Sequence, residues 1–257
     1  MNVRISLLSL ILSATLPFAG SASAREEPSP LVSPTIVLVH GLFADGSSWD
    51  RVIPILQSKG LRVVAVQNPL TSLTDDVAAT QKVIDSLPGP VVLVGHSWGG
   101  VVITQAGNDP KVTALVYVSA FAPAAGQSIN SIVSPFPTPA WESHLLNENG
   151  SLKLSPDGVA TFFAPDLSKK EIGILTATQG PFLIGCLGDT VSQAAGDTRP
   201  SWWVIPKDDQ IIAPELQAAM AARIGATVTS IKSSHVVMLS HPQEVAEVIL
   251  DAAAGKR

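Results

Sequence analysis

The chain has 257 residues, of which 46% are hydrophobic and 14% are charged, and its formal net charge at pH 7 is −5. This length and apolar content fit one large α/β domain with its own core better than two small domains. The negative charge gives no electrostatic attraction to nucleic acid, so we expect no nucleic-acid partner.

The first 24 residues have the pattern of a secretory signal peptide. A basic residue, Arg4, precedes an apolar run from Ile5 to about Leu16, and small residues end the segment at Ala24. The apolar run is shorter than the about 20 residues that a transmembrane helix requires. We therefore predict a signal peptide over residues 1–24, a secreted or periplasmic location, and no insertion into a membrane.

Residues 25–34 are charged and rich in proline, which predicts an exposed lead-in to a domain over residues 35–257. Within that domain, apolar strand patterns alternate with amphipathic helical patterns. This alternation indicates an α/β fold with a mainly parallel sheet of about six strands, flanked by helices on both faces. The strand patterns cover 35–40, 62–67, 90–96, 112–120, 201–206 and 226–232, and the helical patterns cover 46–60, 72–87, 98–108, 214–224 and 242–254.

The alternation breaks down between residues 121 and 198. This stretch contains many prolines and scattered aromatic residues, and it shows no clean strand period. We therefore expect an insertion over one end of the sheet. Its single cysteine, Cys186, cannot form an intramolecular disulfide and is predicted to be a small buried hydrophobic residue.

The third strand pattern runs directly into the motif Gly95-x-Ser97-x-Gly99, and a helical pattern follows it. A serine between two such glycines is typical of a nucleophile elbow, a turn so tight that side chains two positions away must be absent. The alternatives are a glycine-rich turn that only assists packing, or a phosphate-binding loop. A phosphate loop requires Gly-x-Gly-x-x-Gly or a glycine run ending in Lys-Ser/Thr, and neither occurs here. We therefore predict that Ser97 is a nucleophile.

A serine nucleophile needs a general base, and the chain has five histidines. His40 and His96 flank the predicted oxyanion loop and the elbow, where they organise the backbone, and His144 lies in the insertion. His235 and His241 follow the last strand pattern, at the carboxyl end where ligand sites open in parallel sheets. We favour His235, because it leaves the strand directly, whereas His241 leads into the next helix.

The base in turn needs an orienting acid, and two aspartates follow the preceding strand pattern. Asp209 stands 26 residues before His235, one strand–helix–strand step, which gives the order Ser, Asp, His. The alternative is an exposed pair that caps the next helix, which we expect for one of the two. The pattern itself leaves Asp208 and Asp209 open.

Four segments resemble the α/β-hydrolase superfamily, and the resemblance extends over nearly all of Thr35 to Ala254. They are similar to the branch that contains plant methyl-ester hydrolases, hydroxynitrile lyases and many bacterial esterases. The segments are "VLVHGLFADGSSWD", "VVLVGHSWGG", "DDQIIAPELQ" and "SSHVVMLSHPQEVAEVI".

The resemblance implies an α/β-hydrolase fold in which residues 121–198 form a lid. It also implies that Asp209, five residues before Pro214, is the acid and that His235 is the base. The oxyanion-hole donors of the family fall on the backbone N–H groups of Leu42 and Trp98.

Two positions separate esterases from hydroxynitrile lyases in this branch. The lyases resemble each other in carrying threonine after the first-strand histidine and lysine after the catalytic histidine. Here these positions are Gly41 and Val236, which favours ester cleavage. The superfamily's dehalogenases and epoxide hydrolases carry aspartate at the elbow, where this chain has Ser97.

The resemblance and the residues together predict a secreted serine hydrolase that cleaves small carboxylic esters through an acyl-enzyme. This chemistry needs no metal and no organic cofactor. The alternatives are a hydroxynitrile lyase, a thioesterase or a perhydrolase with the same triad, or a receptor-like protein that only binds its ligand.

Overall fold

The structure is a computed structural model that describes residues 33–256. The predicted signal peptide over residues 1–24 lies outside the described residues, as does the lead-in except for Ser33 and Pro34. Both assignments, and the predicted location of the protein, therefore stay predictions.

The strands of the described range form a large parallel sheet and a small antiparallel sheet. They are β1 (Thr35–Val39), β2 (Val63–Val66), β3 (Val91–His96), β4 (Val112–Val118), β5 (Leu145–Glu148), β6 (Ser151–Leu154), β7 (Phe182–Leu183), β8 (Ser201–Pro206) and β9 (Thr227–Ile231).

The helices of this range vary from one turn to more than three turns. They are α1 (Val52–Ser58), α2 (Leu73–Asp85), α3 (Trp98–Ala106), α4 (Ile129–Val133), α5 (Pro156–Gly158), α6 (Lys169–Thr178), α7 (Pro214–Arg223), α8 (Val237–Ser240) and α9 (Pro242–Ala253). A π-helical turn, Val159–Phe163, continues α5. None of the helices between residues 33 and 256 has the length and apolar character needed to cross a bilayer.

The large sheet has the order β2-β1-β3-β4-β8-β9, and every neighbouring pair is parallel. Strands β1, β3 and β8 are buried at every residue, as expected for a parallel sheet covered on both faces. Helix α2 packs against α3, and α9 packs against β4 and β8. The predicted α/β fold, with six parallel strands flanked by helices, is confirmed.

The carboxyl ends of the strands carry the predicted site residues. Leu42 follows β1, Ser97 follows β3, Asp209 follows β8 and His235 follows β9. The chain first moves from β1 out to β2 and then returns to β3 on the other side of β1. Such a reversal of strand order opens a crevice at the carboxyl ends, where ligands bind in open α/β sheets.

Most predicted helices match the observed ones, and their ends follow from capping residues. Ser72 caps α2 by accepting a hydrogen bond from the N–H of Asp75, and Gly60 adopts a φ of +80° beyond the end of α1. The predicted helix over 46–60 is instead a 3₁₀ turn, Gly46–Trp49, followed by α1. The sequence pattern also missed α8, which is only four residues long.

The insertion, residues 121–198, contains an ordered antiparallel sheet, β5-β6-β7, that the sequence pattern did not predict. These strands have two to four residues, too few for an alternation to be visible. The available signal was Asn149-Gly150, whose φ angles of 57° and 89° form the turn between β5 and β6. An Asn-Gly pair is a strong indicator of a two-residue hairpin.

Cys186 lies in the insertion and is completely buried, as predicted. Its thiol donates a hydrogen bond to the carbonyl of Leu70 over 3.5 Å. Burial, assisted by the negative charges of Asp76 and Asp189, raises the pKa of the Cys186 thiol to about 12. The cysteine therefore stays protonated at neutral pH and serves the packing of the insertion.

Candidate active site

Ser97 occupies a strained turn between β3 and α3. Its φ of 55° and ψ of −120° lie in a region that non-glycine residues rarely adopt. The turn leaves the hydroxyl facing a cavity at the amino end of α3. Strain of this kind is found where the surrounding structure fixes a functional residue.

The two glycines of the motif are required by close backbone contacts. A Cβ on Gly95 would lie 2.5 Å from the carbonyl oxygen of Gly99, and a Cβ on Gly99 would lie 2.3 Å from that of Val39. Neither contact can be relieved by a side-chain movement, because the opposing atoms belong to the backbone. The elbow expected from the sequence is thus present, with the expected reason for both glycines.

His235 and Asp209 form a buried pair, with His235 Nδ1 2.8 Å from Asp209 Oδ2. Gln217 donates an amide N–H to the same carboxylate oxygen over 2.8 Å. The N–H groups of Ile211 and Ile212 donate to Oδ1 over 2.8 and 3.1 Å. Four donors therefore fix the carboxylate, which orients the imidazole.

The other sequence candidates lie elsewhere. Asp208 is exposed, and its backbone N–H donates to the carbonyl of Ser233. His241 is paired with Glu244 over 3.2 Å, and His144 contacts an aspartate within the insertion. Of the two aspartates that the pattern left open, the structure brings Asp209 to His235.

The second ring nitrogen of His235 is buried and, in the residues that the structure describes, unpaired. Because Nδ1–H donates to Asp209, Nε2 is left as the acceptor, and it has no hydrogen-bond partner among residues 33–256. The His235 ring lies 4.8 Å from the ring of His96, the residue before Ser97. The Ser97 hydroxyl itself is not hydrogen-bonded to Nε2. Such hydrogen bonds are often long in a free enzyme and tighten when substrate is bound.

Two backbone N–H groups beside Ser97 are available for an anion. Leu42 and Trp98 line the same cavity as Ser97. Within the described part of the chain, neither N–H donates a hydrogen bond. Free donors that converge on the position of a reacting carbonyl oxygen are the defining feature of an oxyanion hole.

His40 organises the loop that carries Leu42. Its Nε2 accepts the backbone N–H of Asn68 over 2.9 Å, so the proton lies on Nδ1 and is donated to the carbonyl of Gly41. The Asn68 amide donates to the His40 carbonyl over 2.9 Å. Burial lowers the pKa of His40, which keeps the imidazole neutral and the loop in place.

His96 connects the elbow to the base. Its Nε2–H donates to the backbone carbonyl of His235 over 3.1 Å. Complete burial, together with the neighbouring His235, lowers the pKa of His96 well below its ordinary value. His96 is therefore neutral, and its hydrogen bond positions the backbone of His235.

The cavity in front of Ser97 has a volume of about 240 Å³ and is predominantly apolar. Both the sheet and the insertion contribute to it. Glu142 is the charged residue on its wall, and it is exposed at the outer side. The apolar lining comprises Phe43, Phe121, Ile129, Val133, Trp141 and Leu187 among others.

Sequence reasoning missed three polar residues that support this site: Gln217 beside Asp209, Asp76 beside Trp98, and Asp166 beside Ser234, the residue before His235. Each lies on a separate element and contacts the site only after folding. The available signal was the helical pattern itself, because Gln217 and Asp76 are polar residues at positions where most of the other residues of that helix face are apolar and buried. No three His, Cys, Asp or Glu side chains between residues 33 and 256 are grouped closely enough to hold a metal ion.

Comparison with known proteins identifies relatives of similar length. The chain is 28% identical to Methylesterase 1 of Arabidopsis thaliana, over 84% of this chain and 95% of the relative. It is also 28% identical to a pyrethroid hydrolase of Sphingobium wenxiniae, over 85% of this chain and 87% of the relative. The names of these relatives support the expected enzyme class, a carboxylic ester hydrolase.

A solved structure shows the same fold. The crystal structure of polyneuridine aldehyde esterase superposes with a TM-score of 0.73 and 22% identity, over 85% of this chain and 98% of that chain. The family model described as "Alpha/beta hydrolase family" matches residues 36–248. That match covers most of the chain, which therefore belongs to the alpha/beta hydrolase family.

Proposed function

We propose that this protein hydrolyses carboxylic esters with Ser97 as nucleophile, His235 as general base and Asp209 as the orienting acid. The observation that carries the proposal is the buried His235–Asp209 pair, which leaves the other ring nitrogen of His235 without a partner in the part of the chain that is described. The His235 ring lies 4.8 Å from the ring of His96, the residue before the strained Ser97. The esterase names of the relatives support the same class of reaction.

In the acylation step, Ser97 Oγ attacks the ester carbonyl carbon, and its proton passes to His235 Nε2. The carbonyl oxygen becomes negatively charged and is stabilised by the N–H groups of Leu42 and Trp98. When the carbon–oxygen bond to the alcohol breaks, His235 returns the proton to the departing alcohol. An acyl group then remains on Ser97.

Deacylation repeats these roles with water. His235 Nε2 takes a proton from a water molecule, which attacks the acyl carbon and forms a second oxyanion in the same pocket. The bond to Ser97 Oγ breaks, Oγ regains its proton from His235, and the carboxylic acid leaves. Asp209 stabilises the imidazolium in both steps without taking the proton itself.

The cavity favours small, uncharged esters as substrates. Its wall is predominantly apolar, and its charged group, Glu142, is negative. A carboxylate or phosphate on the substrate would lose hydration in this cavity without gaining a cationic partner. We therefore propose neutral esters, with apolar acyl or alcohol groups that fit a space of about 240 Å³.

Ester cleavage is favoured over cyanohydrin cleavage by the environment of two residues. A Cβ on Gly41 would lie 2.6 Å from the Cβ of Ser97, so the threonine of the lyases does not fit here unless the elbow or the loop that carries Gly41 shifts. Val236 is 1% exposed and places an apolar side chain, not a cation, beside the base. A departing cyanide ion would find no positive charge there.

The signal-peptide pattern of residues 1–24 supports a secreted or periplasmic location, which we propose on that pattern alone. Expression of the full chain with a C-terminal tag tests it. Recovery of a shortened protein outside the cytoplasm, with a new N-terminus near residue 25, is expected. Full-length protein retained in the cytoplasm contradicts this location.

Turnover of p-nitrophenyl esters of increasing acyl length tests the proposed function. The purified protein is expected to release p-nitrophenol over many turnovers, and Ser97→Ala is expected to abolish the release. A protein that only binds its ligand gives no sustained release. That outcome, with the folded protein in hand, would contradict the proposal.

A further inference from the structure

Asp166 is an exposed residue of the insertion whose carboxylate directly contacts the loop of the general base. It follows the π-helical turn Val159–Phe163 and precedes α6. The loop in question, residues 232–236, connects β9 to α8 and carries His235. Both loop residues that contact Asp166, Ser233 and Ser234, are buried.

Both oxygens of the Asp166 carboxylate accept hydrogen bonds from these two serines. Oδ2 accepts the backbone N–H of Ser234 over 2.9 Å and the hydroxyl of Ser233 over 3.1 Å. Oδ1 accepts the hydroxyl of Ser234 over 2.5 Å. Three charge-assisted hydrogen bonds therefore hold the two residues immediately before His235.

The carboxylate has no other evident structural task. Helix α6 begins three residues later with its own capping box, in which Ser168 and Glu171 bond each other's backbone N–H groups. Within residues 33–256, Asp166 forms no ion pair with a lysine, arginine or histidine. Its side-chain hydrogen bonds go to the base loop alone.

The same segment of the insertion also contacts the imidazole. The ring of Phe163 lies 5.3 Å from the ring of His235, and Phe163 is 1% exposed. On the other side, His96 binds the backbone carbonyl of His235. Three contacts therefore hold His235. Asp166 binds the residues that precede it, His96 binds its backbone carbonyl, and Phe163 packs against its ring.

We propose that Asp166 is a positioning residue of the catalytic base: it fixes residues 233 and 234, and thereby sets the distance between His235 Nε2 and the Ser97 hydroxyl. The insertion is then part of the catalytic apparatus, in addition to forming one wall of the cavity. This inference rests on the proposed function, because it assigns a task that matters only if His235 acts on Ser97.

The charge state of Asp166 agrees with this task. Partial burial raises the pKa of the carboxyl, but the hydrogen bonds from Ser234 and Ser233 outweigh it, and the pKa lies below its ordinary value. The group is ionised at neutral pH and acts only as an acceptor. Substitution by alanine removes three hydrogen bonds, and substitution by asparagine replaces one acceptor oxygen with a donor.

The test measures Asp166→Ala and Asp166→Asn in two assays: hydrolysis of a p-nitrophenyl ester, and the rate at which a fluorophosphonate labels Ser97. Asp166→Ala is expected to lower kcat and the labelling rate by about 10- to 100-fold, because a misplacement of about 1 Å can cost about 10²-fold. KM should change by less than about twofold, since the cavity keeps its wall. Asp166→Asn should fall between Asp166→Ala and wild type.

Glu171→Gln is the matched control. Glu171 belongs to the same insertion and ties it to the body of the protein through an ion pair with Arg51, and neither side chain forms a hydrogen bond with residues 232–236. This variant should keep kcat within about twofold of wild type, because an exposed ion pair contributes little. Equal losses in Glu171→Gln and Asp166→Ala would overturn the proposal, since attachment of the insertion would then explain both.

Ser234→Ala decides the question if Asp166→Ala does not fold, because it removes one hydroxyl contact and keeps the backbone contact. We expect a smaller loss of kcat, about three- to tenfold. Unchanged kcat and labelling in this variant, or in a folded Asp166→Ala, overturn the proposal. A folded wild type that neither hydrolyses esters nor reacts with the fluorophosphonate contradicts instead the proposed function itself.

Discussion

The indole N–H of Trp98 donates a hydrogen bond to Oδ2 of Asp76 over 2.6 Å, and both residues are buried. Trp98 follows Ser97 and supplies one of the proposed oxyanion donors. Asp76, in the first turn of α2, also accepts the backbone N–H of Leu70 over 2.8 Å. The contact therefore links the elbow, α2 and the loop before α2 through one carboxylate.

The pH dependence of stability is expected to show the cost of burying Asp76. Burial raises the pKa of this carboxyl to about 6, although hydrogen bonds from Trp98 and Leu70 lower it, and the negative charges of Asp75 and Asp189 raise it further. The pKa of Asp76 is higher in the folded state than in the unfolded state. At pH values between these two pKa values, the folded state therefore binds more protons than the unfolded state does. The free energy of unfolding therefore falls as pH rises from about 4 to about 6.

Asp76→Asn removes this dependence. The difference in the free energy of unfolding, wild type minus variant, should fall by about 2 kcal/mol between pH 4 and pH 7, with a slope that approaches about 1.4 kcal/mol for each pH unit between the two pKa values. Urea denaturation at pH 4, 5, 6 and 7 measures it. If this difference stays constant with pH, or grows as pH rises, then burial does not raise the pKa of Asp76 in the folded state.

Ser97→Ala is expected to lower turnover by about 10⁵- to 10⁶-fold while the protein stays folded, by analogy with other serine-triad knockouts. In the proposed mechanism the hydroxyl oxygen forms the acyl bond, and the alanine side chain offers no replacement for it. Mass spectrometry after treatment with a fluorophosphonate should show one adduct per wild-type chain, located on Ser97. An adduct that persists in Ser97→Ala would transfer the role to another residue.

Asp209→Asn should reduce kcat by about 10⁴-fold, because an amide NH₂ facing His235 Nδ1 favours the wrong tautomer of the imidazole. Asp208→Asn is the matched control, since Asp208 is exposed and contributes only its backbone N–H to the adjacent loop. Steady-state kinetics of both variants on one ester compare them. Equal losses, or a larger loss at Asp208, would assign the acid to Asp208.

The elbow and the central sheet could be predicted because their signals are local. A strand that is apolar at every residue indicates burial on both faces of the sheet. Gly95 and Gly99 indicate a turn in which the backbone approaches these two positions too closely for a Cβ. The choice between Asp208 and Asp209 is not local in this sense. It is decided by the pairing of β8 with β9, which brings His235 Nδ1 to Asp209 Oδ2 across 26 positions of the chain.

The partners of the supporting residues could not be predicted, because they are distant in the chain. Asp166 meets Ser234 across 68 positions, and Asp76 meets Trp98 across 22. No periodicity or motif joins such positions. Their roles are set by how the insertion and α2 pack against the carboxyl edge of the sheet, which a single sequence does not specify residue by residue.

Gly41→Ala tests the space beside the nucleophile. The added Cβ would lie 2.6 Å from the Cβ of Ser97 and 2.9 Å from the carbonyl oxygen of His96, so the elbow or the oxyanion loop must shift. A shift of about 1 Å is expected to lower kcat by about 10²-fold. Gly173→Ala, where an added Cβ meets nothing within 4 Å, should keep wild-type kcat. Full activity of Gly41→Ala would show that the pocket tolerates a side chain there.

The reaction class is tested with cyanohydrins. The protein is expected to hydrolyse simple carboxylic esters and to release no cyanide from mandelonitrile or acetone cyanohydrin above the uncatalysed rate. Departing cyanide needs a positive charge beside the base, and Val236 provides a buried apolar side chain instead. Val236→Lys supplies the cation, and it is expected to raise cyanide release. Clear cyanide release by the unaltered protein, with negligible ester turnover, would show that Gly41 and Val236 do not report the reaction class.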